Sequence, residues 1–273
     1  MATLSQLFKN KVIHALIITL VLSLIPVTGF SATSIEGDYE YELIPEGSSI
    51  VKYLGSEASI TIPDTLGGQP VIRIGSSAFA NNTTMTSVQL PSSLISIEGH
   101  AFFGCSALGS LTIPDALVSI GDYAFFETTA LQSLNFGTAP ALETIGAGAF
   151  VRSGLTGLVL PDSVSTISES AFHTNSNLAA LTLPQNLTLM GYNAFLNCAA
   201  LTEIDIPGSL SEVPDGAFNG CTSLETVIMN TGTQYIGSYA FSGNTALSSV
   251  TLPDTLVSLG DEAFSYCSSL TQV

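Results

Sequence analysis

Hydrophobic residues recur along most of this chain in one fixed order. Nine Ala-Phe pairs lie 22 to 25 residues apart, and their phenylalanines are Phe79, Phe102, Phe125, Phe150, Phe172, Phe195, Phe218, Phe241 and Phe264. Seven prolines keep step with them, with Gly137 and Asn230 in the two remaining positions: Pro63, Pro91, Pro114, Pro161, Pro184, Pro207 and Pro253. A constant period of this length is typical of a solenoid, in which each repeat forms one coil and stacks on the next.

One copy of the repeat shows which elements the pattern predicts. From Leu108 the apolar residues follow Leu-x-x-Leu-x-Ile, which predicts a short strand with one face inward. Pro114 ends the strand because proline has no amide hydrogen to donate. Gly121 permits a tight corner, and Ala124 and Phe125 are predicted to fill the core. The prediction is a right-handed solenoid of about nine coils of 23 residues. Short parallel strands are expected on its concave face, and turns with short helical or 3-10 segments on its convex face.

Both ends of the repeat region depart from the pattern. Residues 38–44 and 49–55 flank the turn Pro-Glu-Gly-Ser, which predicts a β-hairpin over the open end of the first coil. Between Pro63 and Phe79 the interval is 16 residues where 11 is standard, which predicts an inserted loop. The chain stops at Val273 inside the next predicted strand, which indicates either truncation or an edge that pairs with another chain. We therefore expect a hairpin cap over 32–57 and repeats over 58–273 that are open at the C-terminal end.

The consensus L-x-x-L-x-L-P-x-x-L-x-x-I-G-x-x-A-F-x-x-C resembles the leucine-rich repeats of bacterial BspA-like proteins over about residues 60–273. It departs from the commoner leucine-rich repeat, because Ala116 stands where that repeat has Asn or Cys. The resemblance implies a leucine-rich-repeat solenoid. It also implies an exported, non-enzymatic surface protein that binds other proteins, in some family members the matrix components of a host.

The first 31 residues predict export. Lys9 and Lys11 precede an apolar run over 15–26, and small residues follow it up to a predicted cleavage after Ser31. This order is typical of a secretory signal peptide, and the run is shorter than the roughly 20 residues that a membrane span needs. An uncleaved anchor is the alternative. The predicted location is secreted or cell surface.

The charge of the chain argues against two classes of partner. The chain has 22 acidic and 5 basic residues, which gives a net charge of -17. Such a surface repels phosphate backbones and anionic lipids. We therefore expect no nucleic-acid partner and no binding to an anionic membrane surface.

The cysteines follow the repeat. Each lies three residues after a repeat phenylalanine, where other copies have Asn, Thr or Ser: Cys105, Cys198, Cys221 and Cys267. This position is predicted to satisfy backbone groups at a turn. Only Cys198 and Cys221 lie in adjacent coils, so they alone could form a disulfide.

We find no motif for a catalytic site, a cofactor or a bound metal. His100 and His173 have no partner residues in a recognised catalytic arrangement. One broken column of acidic residues follows the prolines: Asp64, Asp115, Asp162 and Asp254. These carboxylates could gather calcium or, alternatively, accept hydrogen bonds within turns. We expect no enzyme, no cofactor and no metal site.

Two groups of variable positions are candidate protein-contact sites. The first is aromatic, lies near the repeat phenylalanines of adjacent coils, and comprises His100, Phe103, Tyr123 and Phe126. It forms a contact patch if it is exposed and extra core if it is folded under. The second is one acidic spot, Glu203 and Asp205, on a strand face that is otherwise rich in hydroxyl groups.

These observations favour an exported, non-enzymatic protein-binding module that acts in cell-surface adhesion or interaction, with a host or matrix protein as a ligand of unknown identity. The alternative is a structural envelope or matrix protein that self-associates through its uncapped C-terminal coil. A third class, the targeting segment of an extracellular enzyme, requires a catalytic domain outside this sequence.

Overall fold

The computed structural model describes residues 32–271, in which the chain forms 22 strands, numbered β1–β22, and no helix. The predicted signal peptide (1–31) and the terminal Val273 lie outside these residues. The strands belong to an N-terminal cap and to nine coils. We number the coils 1–9 by their repeat phenylalanines, from Phe79 to Phe264.

Each coil has one strand at the predicted Leu-x-Leu position, and in coils 2–9 this strand is the longer of the two. These long strands are β4 (Ser59–Thr61), β7 (Ser87–Gln89), β9 (Ser110–Ile113), β11 (Ser133–Phe136), β13 (Gly157–Val159), β15 (Ala180–Thr182), β17 (Glu203–Ile206), β19 (Thr226–Met229) and β21 (Ser249–Thr251). They pair in parallel with equivalent residues opposite each other, as Leu134 lies opposite Leu111. In β9, Leu111 and Ile113 are buried whereas Ser110 and Thr112 are exposed. The predicted parallel strands are therefore confirmed.

A second parallel sheet replaces the predicted helical segments. Its strands in coils 1–9 are β6 (Gln69–Ile74), β8 (Ser96–Ile97), β10 (Ser119–Ile120), β12 (Thr144–Ile145), β14 (Thr166–Ile167), β16 (Leu189–Met190), β18 (Glu212–Val213), β20 (Tyr235–Ile236) and β22 (Ser258–Leu259). Only six residues separate Pro114 from Gly121, which is too few for a stable helix. Pairs such as Thr144–Ile145 are β-branched and favour extended backbone. The predicted turns are present around the Ala-Phe pairs.

The repeat phenylalanines form one continuous stack through the core. The ring centroids of neighbouring phenylalanines are 5.0 to 5.5 Å apart, and their planes are within 10° of parallel. Gly121 is needed for a different reason than a tight corner. A Cβ there would lie 2.7 Å from the backbone nitrogen of Gly99 in the preceding coil. Glycine therefore lets the backbones of adjacent coils approach closely.

The cap contains the predicted hairpin and also continues the repeat. Strands β1 (Ser34–Glu36), β2 (Tyr39–Ile44) and β3 (Gly47–Tyr53) pair antiparallel in chain order. Strand β3 also pairs in parallel with β6, at the edge of the second sheet. The Tyr53 ring stacks on Phe79 at 5.2 Å, and its amide donates to the carbonyl of Ala78. Tyr53 thus extends the phenylalanine stack into the cap.

The insertion after Pro63, predicted as a loop, is a small hairpin. Strand β5 (Thr65–Leu66) pairs antiparallel with β6 across Gly67 and Gly68, which both have positive φ. Adjacent glycines are typical of tight hairpin turns, because glycine adopts this conformation without steric strain. The insertion therefore supplies coil 1 with its second-sheet strand.

The two sheets are interrupted together at one place. Neither β15 and β17 nor β16 and β18 are paired, whereas pairing resumes with β19 and β20. We call this boundary between coils 6 and 7 the seam. On the turn side the coils stay joined, because the amides of Asn193, Phe195 and Asn197 donate to carbonyls of coil 7. A further gap, between β11 and β13, affects the long-strand sheet alone.

Candidate functional site

The third side of each coil is built from the turns around the Ala-Phe pair. The residues two before and two after each repeat phenylalanine have positive φ in every coil, as Tyr123 and Glu127 do around Phe125. In coil 3 three amides, those of Tyr123, Phe125 and Glu127, donate to carbonyls of the next coil. We call this side the turn face. Its sharp bends keep Ala and Phe inward and leave the flanking side chains at the surface.

The four predicted aromatic residues meet on the turn face of coils 2 and 3. His100 stacks on Tyr123 with centroids 5.2 Å apart, and Phe103 stacks on Phe126 at 4.9 Å. His100 and Phe103 are 5.6 Å apart, and Tyr123 meets Phe126 edge to face at 6.0 Å. These four rings form one cluster, which we call the aromatic patch.

The aromatic patch is part of the surface and is also packed from below. His100 is exposed and Tyr123 is 41% exposed, whereas Phe103 and Phe126 are half-buried. The two alternatives, contact surface and extra core, therefore both describe part of the cluster. The half-buried rings hold the exposed rings in place, so an approaching partner meets an ordered aromatic surface.

The C-terminal flank of the patch has little free charge. Arg152 Nη1 lies 3.1 Å from Glu127 Oε1, so these two side chains neutralise each other. Burial lowers the pKa of His173, and the nearby Arg152 guanidinium lowers this pKa further. His173 is therefore neutral at pH 7, and Val151 beside it is buried. The patch and its flank can make apolar and stacking contacts.

Glu203 and Asp205 lie apart from the aromatic patch. Both are exposed on β17 in coil 7, on the long-strand sheet, whereas the patch lies in turns of coils 2 and 3. They line a cleft of about 280 Å³ with Thr182, Gln185 and Ile228. Asp205 accepts a hydrogen bond from the side-chain amide of Asn230. This cleft opens at the seam between β15 and β17.

The cysteines form hydrogen bonds to backbone groups at the turns, as their position in the repeat predicts. All four are free thiols, so Cys198 and Cys221 form no disulfide. The Cys105 thiol donates to the carbonyl of Phe79 at 3.1 Å, and Cys198 and Cys221 donate to the equivalent carbonyls at 3.4 Å. Burial raises the pKa of Cys105 and Cys221 to about 12, so these thiols stay protonated at neutral pH.

The acidic column after the prolines contributes to turns. Asp162 Oδ1 accepts the amide of Gln185 from the next coil at 2.8 Å, as the turn alternative predicts. Within residues 32–271, no group of three or more His, Cys, Asp or Glu side chains is placed to hold a metal ion.

A second aromatic feature on the turn face was missed from the sequence. A cleft of about 390 Å³ is lined by Glu169, Tyr192, Asn193, Asp215, Gly216 and Tyr239. We call it the tyrosine cleft. Its tyrosines occupy different repeat positions, three before the phenylalanine for Tyr192 and two before it for Tyr239. A comparison of one repeat position at a time places the two tyrosines in different sets. Only a comparison of neighbouring repeat positions together would have found the site.

Solved bacterial structures share this fold. A leucine-rich repeat protein from Bacteroides ovatus is 28% identical with a TM-score of 0.65, over 78% of this chain and 59% of that one. A T. pallidum leucine-rich repeat protein is 27% identical with a TM-score of 0.55, over 88% of this chain and 92% of that one. A leucine-rich cell surface protein from Faecalibacterium prausnitzii is 25% identical with a TM-score of 0.53, over 90% and 83% respectively.

No curated protein sequence matches the chain. Across residues 32–271, no helix has the length and apolar character that crossing a membrane requires. The sequence pattern of the BspA type leucine-rich repeat region matches residues 52–179 and 143–271, with six copies. These two stretches cover most of the chain and coincide with the coils described above. The chain belongs to the BspA-type leucine-rich repeat family.

Proposed function

We propose that this protein is an exported, non-enzymatic module that binds other proteins at the cell surface and uses its turn face to do so. The observation that carries the proposal is the aromatic patch. It presents two stacked pairs of rings in contact with each other, and the rings of His100 and Tyr123 are exposed. Exposed, ordered aromatic clusters are the features that most often anchor protein interfaces.

Cell-surface location is supported by a relative and by the N-terminal sequence. The F. prausnitzii protein is described as a leucine-rich cell surface protein. The basic and apolar order of residues 1–31 is that of a secretory signal peptide. A protein or matrix component outside the cell is then the natural ligand of the module.

A role in adhesion can be tested with the secreted protein. The full chain is expressed in a secreting bacterium, and the product in the medium is expected to begin at Ala32. Its binding to immobilised collagen, fibronectin and laminin is measured by surface plasmon resonance. The test variant is His100→Asn with Tyr123→Asn. Asparagine tolerates the positive φ of both positions, so the variant removes the rings while the turns persist.

We expect the double variant to bind at least tenfold more weakly to whichever matrix protein the wild type binds, because interface aromatics are typical hot spots. The matched control is Val159→Ser, which removes an exposed apolar side chain from the long-strand sheet. Equal binding by the wild type and the double variant would contradict the patch as the site. Absence of binding to all three proteins, with a mass that grows with concentration in light scattering, would favour the self-associating alternative.

A further inference from the structure

We propose that the tyrosine cleft binds a lysine or arginine side chain in an exposed basic segment of a protein partner. The inference rests on the proposed protein-binding function and names a second site for it. The cleft lies on the same turn face as the aromatic patch but in coils 5–8. Three features argue for this occupant: the shape of the cleft, its aromatic walls and its charge.

The shape of the cleft depends on one glycine. The position two before the phenylalanine carries Asn193 in coil 6 and Tyr239 in coil 8, but Gly216 in coil 7. Gly216 has a φ of +63°, and a Cβ at this position would overlap Oδ1 of Asn193. The absence of a side chain at Gly216 therefore lets the Asn193 side chain lie directly against the backbone of coil 7, at the base of the cleft. The cleft between the tyrosines has a volume of about 390 Å³, which accommodates the head of one long side chain.

The walls of the cleft are exposed aromatic rings. Tyr192 is 57% exposed and Tyr239 is 44% exposed. A third tyrosine, Tyr235, is also exposed and lines an adjoining hollow together with Asp215 and Glu212. Tyrosine faces attract guanidinium and ammonium groups, and tyrosine is frequent at binding hot spots. Two exposed rings in the cleft and a third in the adjoining hollow therefore favour a cationic group.

The charge of the cleft has one sign. Glu169 and Asp215 line it and Glu212 lies beside it, and none of the three forms an ion pair in the described part of the chain. Asp215 Oδ1 accepts the amide of Ser238 at 2.6 Å, which fixes the direction of this carboxylate. A fixed carboxylate beside aromatic rings complements a guanidinium better than it does an anion or a neutral group.

No basic residue of the described chain competes for this site. Within residues 32–271 the strong bases are Lys52, Arg73 and Arg152. Arg73 pairs with Glu98 at 3.3 Å and Arg152 with Glu127 at 3.1 Å, both in earlier coils. Lys52 lies on β3 in the cap. No strong base within residues 32–271 therefore lines the cleft.

The test uses a fluorescein-labelled peptide, Gly-Ser-Arg-Gly-Ser-Arg-Gly-Ser, and the full chain, with fluorescence anisotropy at about 0.15 M salt. A peptide with glutamine in place of arginine reports contacts that need no cation. The test variant is Tyr192→Ser with Tyr239→Asn, which leaves the net charge unchanged. The matched control is Tyr266→Asn, because Tyr266 is a 78% exposed tyrosine with positive φ on the turn face of coil 9.

We expect the test variant to weaken arginine-peptide binding at least tenfold, whereas the control stays within twofold of the wild type. Equal binding by all three proteins would overturn the proposal, since the attraction would then come from the general negative charge. Equal binding of the glutamine peptide would also overturn it. Competition by free arginine at the concentration of peptide arginine would assign the site to a small cation instead of a protein segment.

The two proposals can fail separately. Loss of matrix-protein binding in the His100 and Tyr123 variant, with no arginine-peptide binding by the wild type, would overturn the tyrosine cleft and leave the proposed function intact. Peptide binding that depends on Tyr192 and Tyr239, with no dependence of any protein ligand on the aromatic patch, would overturn the patch as the site of the proposed function.

Discussion

At the residue scale, the repeat decides the chemistry of single side chains. A cysteine in this chain is one of several residue types that donate to the carbonyl of a phenylalanine in the preceding coil. Ser153 and Asn175 occupy the same position and donate to the equivalent carbonyls, those of Phe125 and Phe150. The position of these residues, three after the repeat phenylalanine, is enough to predict that they bond to backbone groups. The sequence could not predict why Gly121 is glycine, because the close approach of two backbones depends on the distance between coils.

At the residue scale we predict which of the four cysteine thiols react with an alkylating reagent. At pH 8, iodoacetamide is expected to label Cys267 of the native protein first and to leave Cys105, Cys198 and Cys221 unmodified. Burial raises the pKa of Cys105 and Cys221 to about 12 and that of Cys198 well above its usual range, and the thiolate is the reactive form. Cys267 is only half-buried, although burial raises its pKa as well.

Peptide mass spectrometry gives the extent of labelling at each cysteine. The protein unfolded in urea is the control, and all four thiols are expected to react there. Labelling of Cys198 in the native protein as fast as in urea would show that this part of the core opens readily. A mass lower by two hydrogens would instead reveal a disulfide.

At the element scale, the N-terminal cap is more than a cover for coil 1. The tilted rings of Tyr39 and Tyr53 have centroids 5.4 Å apart, and Tyr53 stacks on Phe79. The Tyr39 hydroxyl donates to the carbonyl of Thr61 at 3.2 Å. The alternation of apolar and polar residues predicts the hairpin. It does not predict that Tyr53 completes the phenylalanine stack. Tyr53 precedes Phe79 by 26 residues and follows lysine instead of alanine, so the motif is lost in the sequence although the packing persists.

The cap should be sensitive to alkaline pH through Tyr39. Burial, followed by the Tyr53 phenol and the Asp38 carboxylate, raises the pKa of Tyr39 to about 12. Above pH of about 10 the unfolded chain loses this proton while the folded chain keeps it, so the free energy of unfolding falls as pH rises from about 10 to about 12. Tyr39→Phe is expected to cost about 1 kcal/mol at pH 7, through the lost hydrogen bond, and to show a smaller alkaline decline.

Thermal unfolding followed by circular dichroism at several pH values measures both effects. Tyr192→Phe is the matched control, because it removes a phenol that is exposed. Parallel declines of the wild type and Tyr39→Phe above pH of about 10 would show that Tyr39 does not carry the alkaline sensitivity.

At the scale of the whole molecule, the repeat predicts a uniform ladder and the structure has a seam. Pro214 accounts for one missing hydrogen bond. Gly191 and Gly237, at the same repeat position, donate their amides to Ile167 and Val213, and proline has no amide hydrogen. The sequence gives no further sign that both sheets separate between coils 6 and 7. Pairing of strands depends on the relative placement of whole coils, which no single residue position encodes.

Because of the seam, we expect equivalent backbone amides in neighbouring coils to exchange their hydrogens at different rates. The amides of Thr202 and Ser211 have no acceptor in the described part of the chain. The equivalent amides in coil 6 donate to Thr156 and Ser165, at 2.9 and 3.0 Å, and those in coil 8 donate to Thr202 and Ser211, at 2.8 Å for each. All six amides belong to exposed residues, so differences in side-chain burial do not separate them.

We expect Thr202 and Ser211 to exchange at least tenfold faster than Ala179, Thr188, Glu225 and Gln234, because an unbonded exposed amide exchanges without local opening. Residue-resolved exchange by nuclear magnetic resonance measures the six rates in one sample. Equal protection would mean that the two sheets run unbroken through coils 6 and 7 in solution. Faster exchange at the seam would show that the turn face and the phenylalanine stack join the two halves there. The Glu203–Asp205 cleft would then lie where the long strands of coils 6 and 7 are unpaired, and the tyrosine cleft would cross the same boundary on the turn face, where hydrogen bonds keep these coils joined.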